Sequence, residues 1–178
     1  MIYEYHKESF KLSKKFADLG DIDAQLKIAN MYINGLGVEQ NYQEALKYFQ
    51  KAADQGFGEA QFNIGLMYLD GLGVERNYIE ALKKFQKAAD QGYPEAQVGL
   101  AYLYYEGHGI KQDYEKALEW YKKAADQGHP EAQFYLGVMY HNGEGTDKND
   151  DIAKKYLKKA YNNCYHREDD IYKILKIK

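Results

Sequence analysis

The chain has 178 residues, the usual size of one domain, and 45% of them are apolar, which is enough for a core and excludes general disorder. Its formal net charge of −3 gives no support for nucleic-acid binding, because that function needs a basic face. The single cysteine, Cys164, cannot form an internal disulfide, and the sequence has no apolar stretch near the roughly 18 residues of a membrane span.

The N-terminal sequence MIYEYHKESFKLSKKF carries charges throughout and has no apolar segment of the kind found in secretory signals. Together with the features above, it predicts a soluble cytoplasmic protein that binds neither nucleic acid nor membrane. Secretion through a signal removed from a longer precursor stays open at this point.

Four copies of one pattern run through the chain at a constant spacing of 36 residues. Each copy contains the dipeptide Ala-Gln and, eleven residues after its alanine, a Gly-x-Gly loop. The dipeptides begin at Ala24, Ala60, Ala96 and Ala132, and the loops begin at Gly35, Gly71, Gly107 and Gly143. Because the registers agree without an insertion, the period indicates a solenoid of stacked repeats.

The first segment, residues 1–20, is predicted to be an N-terminal capping helix that corresponds to the second helix of a repeat. Its residues Ser9, Phe10, Phe16, Ala17 and Gly20 lie one period before Ala45, Leu46, Ala52, Ala53 and Gly56. The segment is therefore a degenerate half-repeat.

Each of the four repeats, at 21–56, 57–92, 93–128 and 129–164, is predicted to contain two helices, A and B. In the first helix A, Ile28 and Met31 lie on one face of a 3.6-residue helix, beside a small residue that lets a neighbouring helix approach. Helix B begins after Asn41, which has capping-box spacing to Glu44. A helix pair this short cannot bury its apolar face alone. Its stability must therefore come from packing against the neighbouring repeats.

The last segment, residues 165–178, is predicted to be a C-terminal capping helix. Acidic residues stand at its start and lysines at its end, which favours the helix dipole.

The pattern A-Q-x-x-[IL]-[AG]-x-[ML]-Y-x-x-G-x-G, followed by Y-x-x-A-L-x-x-[YFW]-x-x-A-A-x-x-G, resembles the Sel-1-like repeat over residues 21–164. The resemblance implies an all-α, tetratricopeptide-like fold, a right-handed α/α superhelical solenoid. It further implies a non-enzymatic scaffold or adaptor in signalling, protein quality control or host–microbe interaction. A cysteine-rich branch of the family includes β-lactamase-like members, but this chain lacks the cysteine pairs of that branch.

In tetratricopeptide-like solenoids helix A lines the concave surface, so residues of helix A that differ between copies are expected to bind a ligand. Matching the small residue of each copy to the tetratricopeptide motif assigns the groove to Asn30, Ile33, Asn34, Leu66, Leu69, Asp70, Tyr102, Tyr105, Glu106, Val138, His141 and Asn142. The central copies give an apolar and aromatic strip flanked by acids. This predicts a protein or peptide ligand with apolar anchors and basic residues. The alternative is that these side chains pack against one another.

Other motifs are predicted to be structural, and no catalytic, cofactor-binding or metal-binding residue is expected. The Gly-x-Gly loops have no preceding strand, so they indicate turns and not phosphate loops. The histidines have no metal-ligand spacing, and only His141 lies in the predicted groove. The repeated glutamines are expected to hydrogen-bond loop backbone, and the repeated Asp54, Asp90 and Asp126 to make turn contacts. A thiol-dependent or lactam-cleaving enzyme and a self-assembling unit remain as alternatives to a monomeric adaptor.

Overall fold

The computed structural model describes residues 2–163, with side chains from residue 4 onwards. Every element in this part is a helix, so the all-α fold is confirmed. The helices are α1 (Ile2–Asp18), α2 (Ile22–Asn34), α3 (Tyr42–Asp54), α4 (Gly58–Asp70), α5 (Tyr78–Asp90), α6 (Pro94–Glu106), α7 (Tyr114–Asp126), α8 (Pro130–Asn142) and α9 (Asp150–Asn162). The predicted capping helix at 165–178, with Cys164 and His166, lies outside the described residues.

The chain forms two compact units, 1–91 and 92–178, which we call the N-terminal and C-terminal units. The N-terminal unit holds α1 to α5, and the C-terminal unit holds α6 to α9. Within each unit every helix packs against the next one in the chain. Each unit thus contains two helix pairs, and α1 is added at the start of the first. No helix in residues 2–163 has the length and apolar character needed to cross a bilayer.

The second helix of every pair begins at a capped residue, as the Asn41 pattern predicts. The Asn41 Oδ1 accepts a hydrogen bond from the Glu44 backbone N–H at 3.0 Å, which satisfies one of the free donors of the first turn. The same residue closes the loop, because its own N–H donates to the Tyr32 carbonyl at 2.9 Å. The equivalent caps are Asn77, Asp113 and Asn149.

The two glycines of each Gly-x-Gly loop have different roles. Gly143 has a positive φ of 75° and donates its N–H to the Met139 carbonyl, which ends α8. Gly145 also has a positive φ, of 68°, but it lies against the start of the preceding helix B. A Cβ added to it would be 2.4 Å from the Tyr114 carbonyl oxygen. Only glycine fits such an approach, so this second position anchors the loop.

The small residue on helix A is explained by the helix B of the same pair. A Cβ added to Gly65 in α4 would lie 2.5 Å from the buried Phe85 ring of α5. In the C-terminal unit a Cβ on Gly137 would meet Leu157 at the same distance. The predicted close approach is therefore confirmed. The helix packing that it permits outweighs the roughly 1 kcal/mol that a mid-helix glycine costs.

Candidate protein-binding surface

The twelve predicted groove residues lie in the last turns of the four helices A, which are α2, α4, α6 and α8. None of them is fully buried. The asparagines and acids among them are exposed, and the apolar, tyrosine and histidine side chains are half-buried. Six of them belong to the N-terminal unit and six to the C-terminal unit, so each set is described within its own unit.

In the N-terminal unit, the surface of α4 combines two apolar side chains with an acid. Leu66 and Leu69 are half-buried, and Asp70 is exposed at the end of the helix. On α2, by contrast, Ile33 packs against the core, and the Asn34 side chain donates to the Asn30 carbonyl of its own helix at 2.8 Å. Among the predicted positions of this unit, Leu66 and Leu69 thus provide the apolar surface.

In the C-terminal unit, Tyr105 is engaged by the scaffold itself. Its hydroxyl donates to Glu144 Oε2 at 3.0 Å. This bond ties α6 to the Gly-x-Gly loop of the next repeat, which follows α8. Its ring lies 5.2 Å from the Tyr114 ring and 6.2 Å from the Tyr135 ring, centroid to centroid. Burial raises the pKa of Tyr105, and the hydrogen bond to Glu144 raises it further. The observed contacts of Tyr105 therefore fit the alternative that the predicted groove side chains pack against neighbouring residues of the scaffold.

Three of the other predicted residues of this unit, Tyr102, Val138 and Asn142, also contact neighbouring residues. Tyr102 meets the His108 ring edge-on at 5.8 Å between centroids and remains half-buried. Val138 packs beside Phe134 and Leu157. Glu106 is exposed, and the Asn142 amide donates to Glu144.

His141 has a structural partner within the same unit. Its Nδ1 lies 2.6 Å from Asp150 Oδ1, at the first residue of α9. This hydrogen bond holds the pKa of the exposed Asp150 carboxyl below its usual range. The pair links the end of helix A to the start of helix B, and ligand contact by His141 stays a prediction.

The repeated glutamines belong to the scaffold, although one detail of their prediction is wrong. The Gln25 side chain donates to the Ala17 carbonyl at 3.1 Å, and Gln61 and Gln133 make the equivalent bonds to Ala53 and Ala125. These acceptors lie in the last turn of a preceding helix B and not in a loop. Each of these carbonyls also accepts the backbone N–H of the glycine that follows its helix, so the buried amide adds a second hydrogen bond at the helix end.

Two of the repeated aspartates accept hydrogen bonds within their own helices. Asp54 accepts from Gln50 at 2.6 Å and Asp90 accepts from Gln86 at 2.7 Å, one helical turn earlier. In α1, Asp18 stands at the same position and accepts from both the Tyr48 hydroxyl and Lys14. Those two bonds, with Tyr48 the stronger influence, lower the pKa of Asp18. For Asp54 and Asp90 the observed contact thus lies within the last two turns of helix B and not in the turn, whereas Asp18 also bonds to α3.

The described residues offer little else that would act chemically. They contain no group of three His, Cys, Asp or Glu residues arranged to hold a metal ion. An open cleft of about 650 Å³ in the C-terminal unit is lined by Tyr104, Asp113, Tyr114, Lys116 and neighbouring loop residues. None of the twelve predicted binding residues lines it. The predicted binding positions are therefore surface positions and not walls of this cleft.

These features define an all-α helix-turn-helix repeat protein whose variable surface residues lie on the first helix of each pair. The Sel1 repeat family model matches residues 22–57, 58–93, 94–129 and 130–163. The chain belongs to the Sel1 repeat family. No curated protein sequence matches it.

Solved structures with the same fold extend this assignment. A protective antigen of uropathogenic Escherichia coli with an SLR fold is 33% identical, with a TM-score of 0.84; the match covers 86% of this chain and 33% of that one. A Sel1 repeat protein from Oxalobacter formigenes is 30% identical, with a TM-score of 0.84, and the match covers 89% of this chain and 63% of that one.

A third solved structure, Helicobacter pylori cysteine rich protein B, is 24% identical with a TM-score of 0.55. The match covers 72% of this chain and 94% of that one, and at this identity it shows the fold alone. This chain thus spans a third of the E. coli antigen and under two thirds of the O. formigenes protein. Sel1 repeat proteins are generally protein-interaction adaptors, and their fold is typically a non-enzymatic scaffold.

Proposed function

We propose that this chain is a protein-interaction adaptor that binds a peptide or protein through the exposed ends of its helices A. The observation that carries the proposal is the surface of α4, where Leu66 and Leu69 are half-buried beside the exposed Asp70. These positions vary between the four copies, whereas the scaffold residues around them repeat. A side chain that the scaffold does not require is available for a ligand.

The chemistry of this surface defines the partner. Leu66 and Leu69 offer apolar area for a Leu-like or Phe-like anchor, and each side chain buried by a ligand contributes about 1.5 to 3 kcal/mol at most. Asp70 on α4 and Glu106 on α6 are exposed acids at the ends of their helices, so basic residues of a ligand would complement them. An amphipathic peptide with apolar anchors and Lys or Arg residues fits this description.

The contacts of Tyr105 change which residues should carry affinity. Because its hydroxyl and ring are held by Glu144, Tyr114 and Tyr135, we assign it a positioning role. Tyr102, which is half-buried on the same helix, is the aromatic residue that we assign to ligand contact in the C-terminal unit. The proposed contact residues of the N-terminal unit are thus Leu66, Leu69 and Asp70 on α4, and those of the C-terminal unit are Tyr102 and Glu106 on α6, each set taken within its own unit.

We propose an adaptor in preference to an enzyme because the conspicuous polar groups on these helices have structural partners. His141 pairs with Asp150, and the repeated glutamines bond to helix carbonyls. The sequence has a single cysteine, so the paired cysteines of the β-lactamase-like branch are absent. From the sequence we also propose that the chain resides in the cytoplasm.

A displayed library of random peptides tests this function. Selection on the purified chain should enrich peptides with spaced apolar anchors and basic residues. The double variant Leu66→Ser/Leu69→Ser should weaken a selected peptide at least about tenfold, since two buried apolar contacts are lost. Ile79→Ser is the matched control, because Ile79 is an exposed apolar residue on the B helix of the same repeat.

Peptides enriched in acidic residues would oppose the assigned charge complementarity. Binding that survives Leu66→Ser/Leu69→Ser but is lost in Ile79→Ser would move the binding surface to helix B. Circular dichroism of both variants should match that of the natural chain, which separates loss of contact from loss of fold.

A further inference from the structure

The first helix exposes an unusual amount of apolar surface. Tyr5, Leu12, Phe16 and Leu19 are 73%, 58%, 50% and 84% exposed. Seven large apolar side chains are exposed among residues 4–163, and four of them lie on or directly after α1. Scattered exposed apolar residues need no explanation, but a concentration on one helix marks an interaction surface.

These four side chains form one continuous stripe. Together with Ser9 they occupy positions 5, 9, 12, 16 and 19, with the alternating spacing of four and three that keeps residues on one side of a helix. This is the spacing of the contact positions of a coiled coil, with leucine at two of them. We call this stripe the α1 seam.

The α1 seam corresponds to the face that other helices B present to their own helix A. One period after Leu12, Tyr48 of α3 stacks on Tyr32 of α2 at 6.1 Å between ring centroids. In the last pair, Tyr156 of α9 stacks on Tyr140 of α8 at 6.0 Å. One period after Leu19, the Gln55 side chain donates to Gln25 of α2 at 2.9 Å. The helices described in the N-terminal unit leave this face of α1 exposed.

The residues of the seam are unsuited to another helix A of this family. Where α1 has Phe16, the other helices B have an alanine that is fully buried, namely Ala52, Ala88, Ala124 and Ala160. Where α1 has Leu19, they have Gln55, Gln91, Gln127 and Asn163. A bulky Phe16 prevents the close approach that alanine permits, and Leu19 cannot donate the hydrogen bond. The seam therefore favours an apolar partner at larger spacing.

Charges along one edge of the seam identify that partner. Glu4 and Glu8 lie along this edge in the first half of α1, and Lys11 and Lys15 lie along it in the second half. When two copies of α1 run antiparallel, the acidic half of one edge faces the basic half of the other, so Glu8 comes opposite Lys15. The present partner of Glu8 is Lys11 at 2.8 Å, in an exposed pair that can exchange at little cost.

We propose that two copies of this chain form a dimer by antiparallel packing of their α1 seams. Two helices of 17 residues bury less area than the standard interface of about 1,200 to 2,000 Å². The dimer is accordingly weak and reversible. It would present two adaptor surfaces in one assembly, which raises avidity for a partner with repeated sites.

Sedimentation of the natural chain over a roughly hundredfold concentration range tests the dimer. The average mass should rise from that of one copy towards that of two copies. The midpoint of this rise should fall at protein concentrations typical of small transient interfaces. Leu12→Glu/Phe16→Glu should remain monomeric throughout, because it places four charges in the seam of each dimer. Ile79→Glu, a charge at an exposed apolar residue elsewhere in the same unit, should dimerise like the natural chain.

Charge reversal tests the antiparallel arrangement. Glu8→Lys and Lys15→Glu should each weaken the dimer about threefold to tenfold, because each places like charges opposite one another. The double reversal Glu8→Lys/Lys15→Glu should return to within about twofold of the natural chain, since the complementary pairs are restored. A chain that stays monomeric, a dimer that persists in Leu12→Glu/Phe16→Glu, or a double reversal no better than the single ones would each overturn the proposal.

Discussion

In the N-terminal unit the variable positions of α4 hold Leu66 and Leu69, whereas in the C-terminal unit the same positions of α6 hold Tyr102 and Tyr105. Both pairs are half-buried on the same backbone framework. Tyr105 is nevertheless bonded to Glu144 and packed between two further tyrosines, so its variation serves the scaffold. A position can therefore differ between repeats because its neighbour differs too, and not because a ligand contacts it.

The largest expected effect concerns the loop that brings Glu144 to Tyr105. Gly145→Ala should lower the free energy of unfolding by about 3 kcal/mol, because a Cβ would meet the Tyr114 carbonyl and the backbone is left-handed. Gly128→Ala is the control: its φ is also positive, at 88°, but nothing lies within 4 Å of the added Cβ. It should cost only about 1 kcal/mol in urea unfolding. Equal costs would show that the loop is not anchored on α7.

The next effect separates Tyr105 from the leucines of α4. Tyr105→Phe should destabilise the chain by about 1.5 kcal/mol, the usual cost of losing a hydrogen bond to a carboxylate. Burial and Glu144 raise the pKa of Tyr105, so this stabilisation is complete below the unfolded phenol's pKa of about 10 and is lost as pH rises above it. Thermal unfolding against pH should therefore show a smaller alkaline loss in Tyr105→Phe. An unchanged melting curve would mean that Tyr105 is available for a ligand after all.

The smallest effect exchanges one residue of the C-terminal unit for its N-terminal counterpart. Tyr121 is buried, and its hydroxyl has no hydrogen-bond partner among the described residues, whereas Phe49 and Phe85 hold the equivalent positions. Tyr121→Phe should stabilise the chain by about 1 kcal/mol, because an unsatisfied polar group is removed from the core. The reverse change, Phe85→Tyr, should destabilise by a similar amount. A destabilised Tyr121→Phe would indicate that the hydroxyl has a partner.

Much of the fold follows from the sequence because the repeat period makes each local signal appear four times. The caps at Asn41 and its equivalents, the terminating glycines and the small residues on helix A were predictable by this means. The anchoring role of Gly145 was less accessible, because it depends on the distance between a loop and a helix about 30 residues earlier. Period alone does not distinguish a glycine that only turns from one that also fits a close approach.

The binding surface was only partly predictable. The constancy of the glutamines correctly excludes them from the binding surface, because they make the same kind of bond in the first, second and fourth repeats. It does not identify Glu144 as the partner of Tyr105, because the two residues are 39 positions apart and vary together. The α1 seam had a visible signal in its heptad spacing. The alignment of α1 with the other helices B treats Ser9 and Phe16 as scaffold positions and does not include Tyr5, Leu12 and Leu19.

The central claim is that the helix A surface, and α4 above all, binds a peptide ligand. Hydrogen–deuterium exchange of the chain with and without a selected basic, apolar-anchored peptide tests it most directly. Added peptide should slow exchange in the last turn of α4, around Leu66–Asp70, and leave α3 and α5 unchanged. Protection confined to α3 and α5, or no protection at saturating peptide, would contradict the account.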